Sequence, residues 1–235
     1  MNFMKRFARK LSAIGLFLLF ANSGYAQGSA GDVVREFLND EHNLWTSPLR
    51  VRTDDLKWLA PLGAGTAFLM RNDSSLSHEA EEADLQHPSH IVSRSGSIYT
   101  FAAPVAVMTL GKLTGNAKAS HAGGVALEAV LHSTLIVQTL KVATNRQRPS
   151  VNRGSGDFWD GGNSFPSGHS MSAWAFASAM ADQYSGKKWV AISGYSAAAA
   201  VSLSRIAGGN HFPSDVLVGS SLGWLVGHYI SHRHK

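Results

Sequence analysis

An all-α fold, a bundle of packed helices, is predicted by three features of this 235-residue sequence. Five apolar segments recur along it: Ile98 to Leu110, His121 to Lys141, Ser170 to Ala181, Trp189 to Ser204 and Val216 to Ile230. They lack the alternation of β-branched and polar residues that marks a strand. They are also rich in Ala, Gly and Ser, and such small residues let helices approach closely.

Taken from the N-terminus, residues 1–26 read as an export signal. Lys5, Arg6, Arg9 and Lys10 form a positive leading region, Leu11 to Ala21 an apolar run, and Gly24-Tyr25-Ala26 a small-residue cleavage site. Cleavage after Ala26 is expected, with Gln27 the first residue of a periplasmic chain; the alternative is an uncleaved N-terminal anchor, for which the apolar run is short. The signal holds four of the 21 Lys and Arg and none of the 16 Asp and Glu, which leaves 17 against 16. The basic character is mostly a targeting effect, so no nucleic-acid partner is expected. The chain has no cysteine, which excludes a disulfide framework, a zinc–thiolate site and a cysteine nucleophile.

Residues 27–97 are expected to hold N-terminal helices and a polar loop, and residues 98–235 the core, within one globular domain. Val34, Phe37, Leu38 and Leu44 fall at helical spacing between Gly31 and Trp45, and a second apolar segment runs from Trp58 to Met70. Asn72 to Ser97 reads as a loop carrying at most one short helix, its Glu79, Glu81, Glu82 and Asp84 a solvated face. None of the later segments offers the ~20 uninterrupted apolar residues that a bilayer needs. Glu128, His132 and Gln138 interrupt one, Pro104 another and His228 a third. A soluble bundle with no more than peripheral membrane contact is therefore expected.

Three short blocks carry chemistry. In the first, Lys141 and Arg148 are seven apart, which on a helix puts both on nearly one face, and Pro149 marks the helix end. Two permanent cations on one face bracket an oxyanion, although such pairs are more often a solvated face. The second block is Phe165-Pro166-Ser167-Gly168-His169, directly before a helical run. Gly168 allows close backbone approach, the helix start offers N–H groups and positive dipole, Ser167 adds a hydroxyl, and His169 stands ready as a proton donor. Taken by itself it reads better as an ordinary Pro-Ser-Gly turn with a capping serine. The third runs from Ser204-Arg205 through Gly208-Gly209 to His211 and Asp215. Asp215 lies four residues after His211, within reach of one ring nitrogen, which would fix the tautomer and leave the other nitrogen as a nucleophile. A plain capping contact is the alternative.

In order and spacing the blocks match K-x-x-x-x-x-x-R-P, P-S-G-H and S-R-x-x-x-x-x-H-x-x-x-D. The sequence thereby resembles the type 2 phosphatidic acid phosphatase superfamily, which includes bacterial acid phosphatases, lipid phosphatases and vanadium haloperoxidases. The resemblance implies the acid phosphatase/haloperoxidase helical bundle, with residues 98–235 its catalytic core. It implies that Lys141, Arg148, Arg205, Ser167 and the Gly168 N–H hold the phosphoryl oxygens, and that His211 attacks phosphorus to form a phosphohistidine. Asp215 would orient His211, and His169 would protonate the leaving group and then activate water. No metal and no cofactor are implied, since three cations and backbone donors stabilise the transferring group. The expected substrate is a phosphorylated lipid first and a small soluble phosphate ester or pyrophosphate second.

Two other readings stay open at this point: a vanadate-dependent haloperoxidase using the same cradle, and a non-catalytic phosphate-binding module. The loop Ser150 to Ser164, with Phe158 and Trp159 among four glycines, either lines the mouth of the site or is a solvent-exposed loop. His87, His90, His121, His132, His228, His232 and His234 fit no metal-ligand template and receive no role.

Overall fold

The computed structural model describes residues 29–82, 101–151 and 154–234. The expected export signal, most of the acidic polar stretch and two residues of the Gly-rich loop lie outside the described residues. Seven α-helices are described: α1 (Ala30–Thr46), α2 (Leu56–Glu82), α3 (Phe101–Leu113), α4 (Ala117–Thr144), α5 (Gly168–Gln183), α6 (Lys188–Ala207) and α7 (Pro213–Arg233). Two short 3₁₀ turns, Ser47–Arg50 and Thr53–Asp55, separate α1 from α2, and no strand occurs among the described residues. The predicted all-α class is the observed one.

The chain divides into two compact units at Val51/Arg52. In the first, Ser29 caps α1 reciprocally with Asp32, the Ser29 hydroxyl accepting from the Asp32 N–H and the Asp32 carboxylate accepting from the Ser29 N–H.

The second unit holds the bundle. Within it α4 is central, its residues 122 to 133 all buried. The α5 helix packs most extensively on α7, then on α6 and α4. Glycine decides that first packing. Gly219, Gly223 and Gly227 recur every fourth residue on α7, and an added Cβ would lie 2.5, 2.0 and 2.3 Å from the carbonyl oxygens of Ser167, Met171 and Ala175. Those carbonyls also recur every fourth residue, so the two helices run parallel, backbone against backbone. A side chain at Gly223 would force them apart. Met171 and Ile230 are fully buried, and burial of such side chains contributes roughly 1.5–3 kcal/mol each.

Two expectations change. The polar stretch after Met70 continues α2 to Glu82, because Asp73 and Ser77, one turn apart, point inward and are buried. Asp73 serves an internal hydrogen-bond network, while Glu79, in the acidic run expected to face solvent, is exposed. Second, two of the apolar segments extend at both ends, giving α4 28 residues and α6 20, and both helices are long and apolar enough to cross a membrane. Glu128, the interruption noted within α4, faces inward, with His234 Nε2 3.1 Å from its carboxylate.

Candidate active site

The α4 helix stops at Thr144 because Asn145 turns left-handed (φ 46°, ψ 38°), its N–H returning to the Lys141 carbonyl at 3.0 Å. Asparagine tolerates this conformation better than most residues. Lys141 is thus in the last helical turn, while Arg148 lies beyond the helix in a segment without regular secondary structure. The shared helix face expected for these cations does not exist. They meet through the returning loop instead: Lys141 Nζ donates to the Asn163 carbonyl, and Arg148 Nε donates to Asn163 Oδ1 at 2.8 Å. The loop is pinned to residues 145–147 by the Gly162, Ser164 and Gln147 N–H groups. Gly162 is required there, since a Cβ would sit 1.9 Å from the Arg146 carbonyl oxygen.

Ser167 occupies the N-cap of α5 but makes no side-chain cap bond. Its buried hydroxyl accepts from Ser170 Oγ at 3.0 Å, and its N–H donates to the Asp215 carbonyl at 2.9 Å. The first N–H groups of a helix have no intrahelical acceptor, so those of Gly168 and its neighbours form a positive end beside Lys141. A Cβ on Gly168 would meet Val137 and Lys141 Cε only at ordinary contact distances of 3.6–3.8 Å. Close helix packing therefore does not demand glycine at 168.

Arg205 closes the last turn of α6 and is buried. Its carbonyl accepts the N–H of both Asn210 and His211, which ties His211 to the helix that carries the third cation. His211 Nδ1 lies 3.5 Å from Asp215 Oδ2 and 3.4 Å from Ser164 Oγ. That geometry commits Nδ1 to the carboxylate side and leaves Nε2 as the other ring nitrogen.

Asp215 is fully buried in the first turn of α7, where Pro213 is pre-set for the helix start. Its carboxylate is saturated. Oδ1 accepts from Arg146 Nη1 at 2.6 Å, and Oδ2 accepts from the Phe212 N–H at 2.9 Å and from Ser164 Oγ. Burial acts to raise its pKa, but His211, Arg146 and Ser164 outweigh that and hold it below the usual carboxylate range.

Arg146, Asp73, Ser164 and Asn163 were not singled out by sequence reasoning, and the first two anchor everything else. The Arg146 guanidinium is buried between the Phe158 and Phe212 rings, 4.7 and 4.4 Å from their centroids. Besides Asp215 it donates to the Gly156 carbonyl (3.0 Å), Ser214 Oγ (2.8 Å) and Asp73 Oδ2 (2.7 Å). Asp73, on α2, also accepts the Ser214 N–H at 3.0 Å. The result is a continuous line from His211 through Asp215 and Arg146 to Asp73. Arg146 lay inside the first motif at a position the pattern leaves open. No sequence signal ties Asp73 to residues more than 70 positions away.

The predicted site residues come together electrostatically. Burial, then Arg205, His211, Lys141 and Arg148, push the half-buried His169 down to about 3. Burial pushes His211 down to about 4 against the opposing pull of Asp215, with Lys141 and Arg148 contributing. Both rings are neutral near pH 7, in a pocket of gathered positive charge, which is what a multiply charged anion requires. In the Gly-rich loop, Phe158 packs on Arg146, while Trp159 is exposed, its ring N–H on the Ala143 carbonyl at 3.0 Å.

Comparison with known proteins gives three matches. Residues 122–235 match the model of the PAP2 superfamily. A lipid A 1-phosphatase of Porphyromonas gingivalis is 41% identical over 66 residues, which covers 28% of this chain and 15% of that relative's length. The chain thus matches only a small part of that protein. Among solved structures, a transmembrane PAP2 type phosphatidylglycerolphosphate phosphatase from Bacillus subtilis aligns over 95% of this chain and 94% of its own, with 21% identity and a TM-score of 0.40.

Proposed function

We propose, on the match of residues 122–235 to the PAP2 superfamily, that the chain is a phosphatase that works without a metal through a phosphohistidine on His211. The observation that carries the proposal is the buried His211, neutral, its Nδ1 turned to a saturated Asp215 carboxylate and surrounded by cations. Lys141, Arg148, Arg205, Ser167 and the Gly168 N–H hold the three non-bridging oxygens of the phosphoryl group. Nε2 of His211 attacks phosphorus in line as the bond to the leaving oxygen breaks, and Asp215 stabilises the charge that develops on the ring.

His169 gives its proton to the leaving oxygen. In the free protein its pKa is too low for that, because burial and then the surrounding cations disfavour the protonated ring. A bound phosphate dianion reverses the local field and restores its proton affinity. After the leaving group departs, the neutral His169 takes a proton from water, whose oxygen then attacks the phosphohistidine.

The substrate class we favour is a phosphorylated lipid, ahead of a soluble ester or pyrophosphate. The outward side of α6 carries exposed Trp189, Ile192 and Leu203, an apolar surface suited to association with a membrane. The partial likeness to a lipid A 1-phosphatase points the same way. With residues 1–26 read as an export signal, the site works on the outer side of the inner membrane.

The test is a substrate screen over phosphatidic acid, lipid A phosphates, isoprenyl pyrophosphates and small phosphate esters, with trapping of radiolabelled phosphate on the protein. An alkali-stable, acid-labile phosphoenzyme that vanishes in His211→Ala is expected. A full rate in His211→Ala would end the reading. Location is tested separately by N-terminal sequencing and a carbonate wash of membranes. A mature chain starting at Gln27 and recovered with membranes is expected.

A further inference from the structure

The far end of the α5·α7 pair holds a second cluster that the phosphatase reading does not use. Asp182 lies one residue from the end of α5, and His228 and His232 are one turn apart in the last part of α7. His228 Nδ1 is 2.7 Å from Asp182 Oδ2, and His232 Nδ1 is 3.5 Å from the same oxygen. One ligand atom from each residue lies within 4.8 Å of the other two. The two imidazoles are 4.0 Å apart between centroids.

We propose that Asp182, His228 and His232 form a binding site for a divalent transition-metal ion of the Zn²⁺ class, remote from the candidate active site. Two imidazoles and one carboxylate are a donor set that such ions prefer, and that Mg²⁺ and Ca²⁺, which take oxygen ligands, do not. Spacing of i and i+4 puts both rings on one helix face. Trp224 stacks on the His228 ring at 5.1 Å with 8° between planes, and Gln183 donates to Ser231 Oγ at 3.1 Å. The Gln183 bond ties the two helix ends together and the stack orients the His228 ring, while His232 Nδ1 rests 2.9 Å from the His228 carbonyl and turns from it to face an ion.

The helix polarity favours a cation independently of the side chains. Both α5 and α7 end here, and the free carbonyls of a C-terminal turn carry partial negative charge. All three side chains keep solvent access, their exposure running from 21% to 47%. They can therefore close from hydrogen-bond distances to metal–ligand distances of ~2.0–2.2 Å by rotamer adjustment alone. Water completes a four-coordinate shell. On binding, the ion takes the place of the proton at Nδ1 of each ring, the proton passing to Nε2 through solvent, so that both ligands remain neutral imidazoles and the Asp182 carboxylate supplies the negative charge. The site lies thirteen residues along each helix from His169 and Asp215, roughly 20 Å at the rise of an α-helix.

The experiment uses full-length, tag-free protein stripped with chelator and desalted. It is titrated at pH 7.5 with Zn²⁺ in competition with a chromophoric chelator, and with Co²⁺ followed by its d–d absorption. Saturable binding of one equivalent is expected, with affinity reduced at least about tenfold in each of Asp182→Asn, His228→Ala and His232→Ala. His42→Ala, an exposed histidine elsewhere, is expected to bind as wild type. Circular dichroism of each stripped variant establishes that it is folded. Absence of saturable binding, or equal affinity in wild type and all three folded variants, would overturn the assignment. This readout does not depend on catalysis, so it stands or falls apart from the phosphatase reading.

Discussion

The two ends of the α5·α7 pair carry the same three residue types, two histidines and one aspartate. At the N-terminal end His169, His211 and Asp215 lie in or beside the first helical turns, with His211 and Asp215 fully buried. At the C-terminal end Asp182, His228 and His232 lie in or near the last turns and remain partly open to solvent. One end gathers Lys141, Arg148 and Arg205 around free helix N–H groups, and the other gathers free helix carbonyls. Composition alone therefore decides little. Helix polarity and burial turn one set toward an anion and the other toward a cation.

The sharpest way to break this comparison is to delete one histidine at each end. His211→Ala is expected to lower turnover of a phosphate ester at least ~10,000-fold, as removal of a covalent nucleophile does. His228→Ala should change the same rate less than about twofold. Equal losses measured side by side in steady-state kinetics would erase the distinction between the ends.

Next in size is the loss of the buried ion chain. Arg146→Met leaves Asp73 and Asp215 as unpaired buried carboxylates, and urea unfolding should show a loss of roughly 3–5 kcal/mol. Asp182→Asn, which removes a partly exposed partner, should cost under ~1 kcal/mol in the same measurement.

The pH dependence of stability sharpens the contrast further. His211 is held at about 4 in the folded chain, below its ordinary value near 6.5. Between these values the unfolded chain binds a proton that the native site rejects, so stability rises with pH across that window and falls on acidification. By pH 4 the loss is of order 3 kcal/mol from His211 alone, and His169 adds to it in the same direction. Unfolding midpoints from pH 7 to 4 should drop less steeply in His211→Asn than in wild type.

The smallest effect concerns metal removal. If the ion site is remote and the chemistry needs only side-chain cations, excess EDTA should alter turnover by less than about twofold while abolishing Zn²⁺ retention. Complete loss of activity in EDTA, restored by Mg²⁺, would remove the metal-free mechanism.

What was legible in the sequence follows from range. The helices were readable because each is a local pattern, and the candidate site residues were named by three blocks of fixed spacing. The errors came where distant partners decide. The stretch from Asn72 was read as a loop, but α2 continues to Glu82 and turns Asp73 inward, where Arg146 and Ser214 bind it. The cations Lys141 and Arg148 are joined by Asn163 and not by a helix, because Asn145 ends α4 three residues before Arg148. The histidines at positions 228 and 232 fitted no ligand template because their third partner lies on another helix, 46 residues upstream. Nor does apolarity alone place a helix: of the apolar stretch in α4 56% is buried, and in α6 only 17%.

The glycine seam between α5 and α7 works as a gauge block for the whole candidate site. Ser167 and Gly168 sit on one helix and Asp215 on the other, so the clearance between the two backbones sets how far the cradle stands from the carboxylate that steadies His211. With three carbonyls seated against three glycines at a common spacing of four residues, α7 has no intermediate stopping place along α5. It is either in register or displaced by a full turn. Dimensional tolerance in this protein is therefore written outside the site, at positions 219, 223 and 227, by residues that have no side chain and touch no substrate.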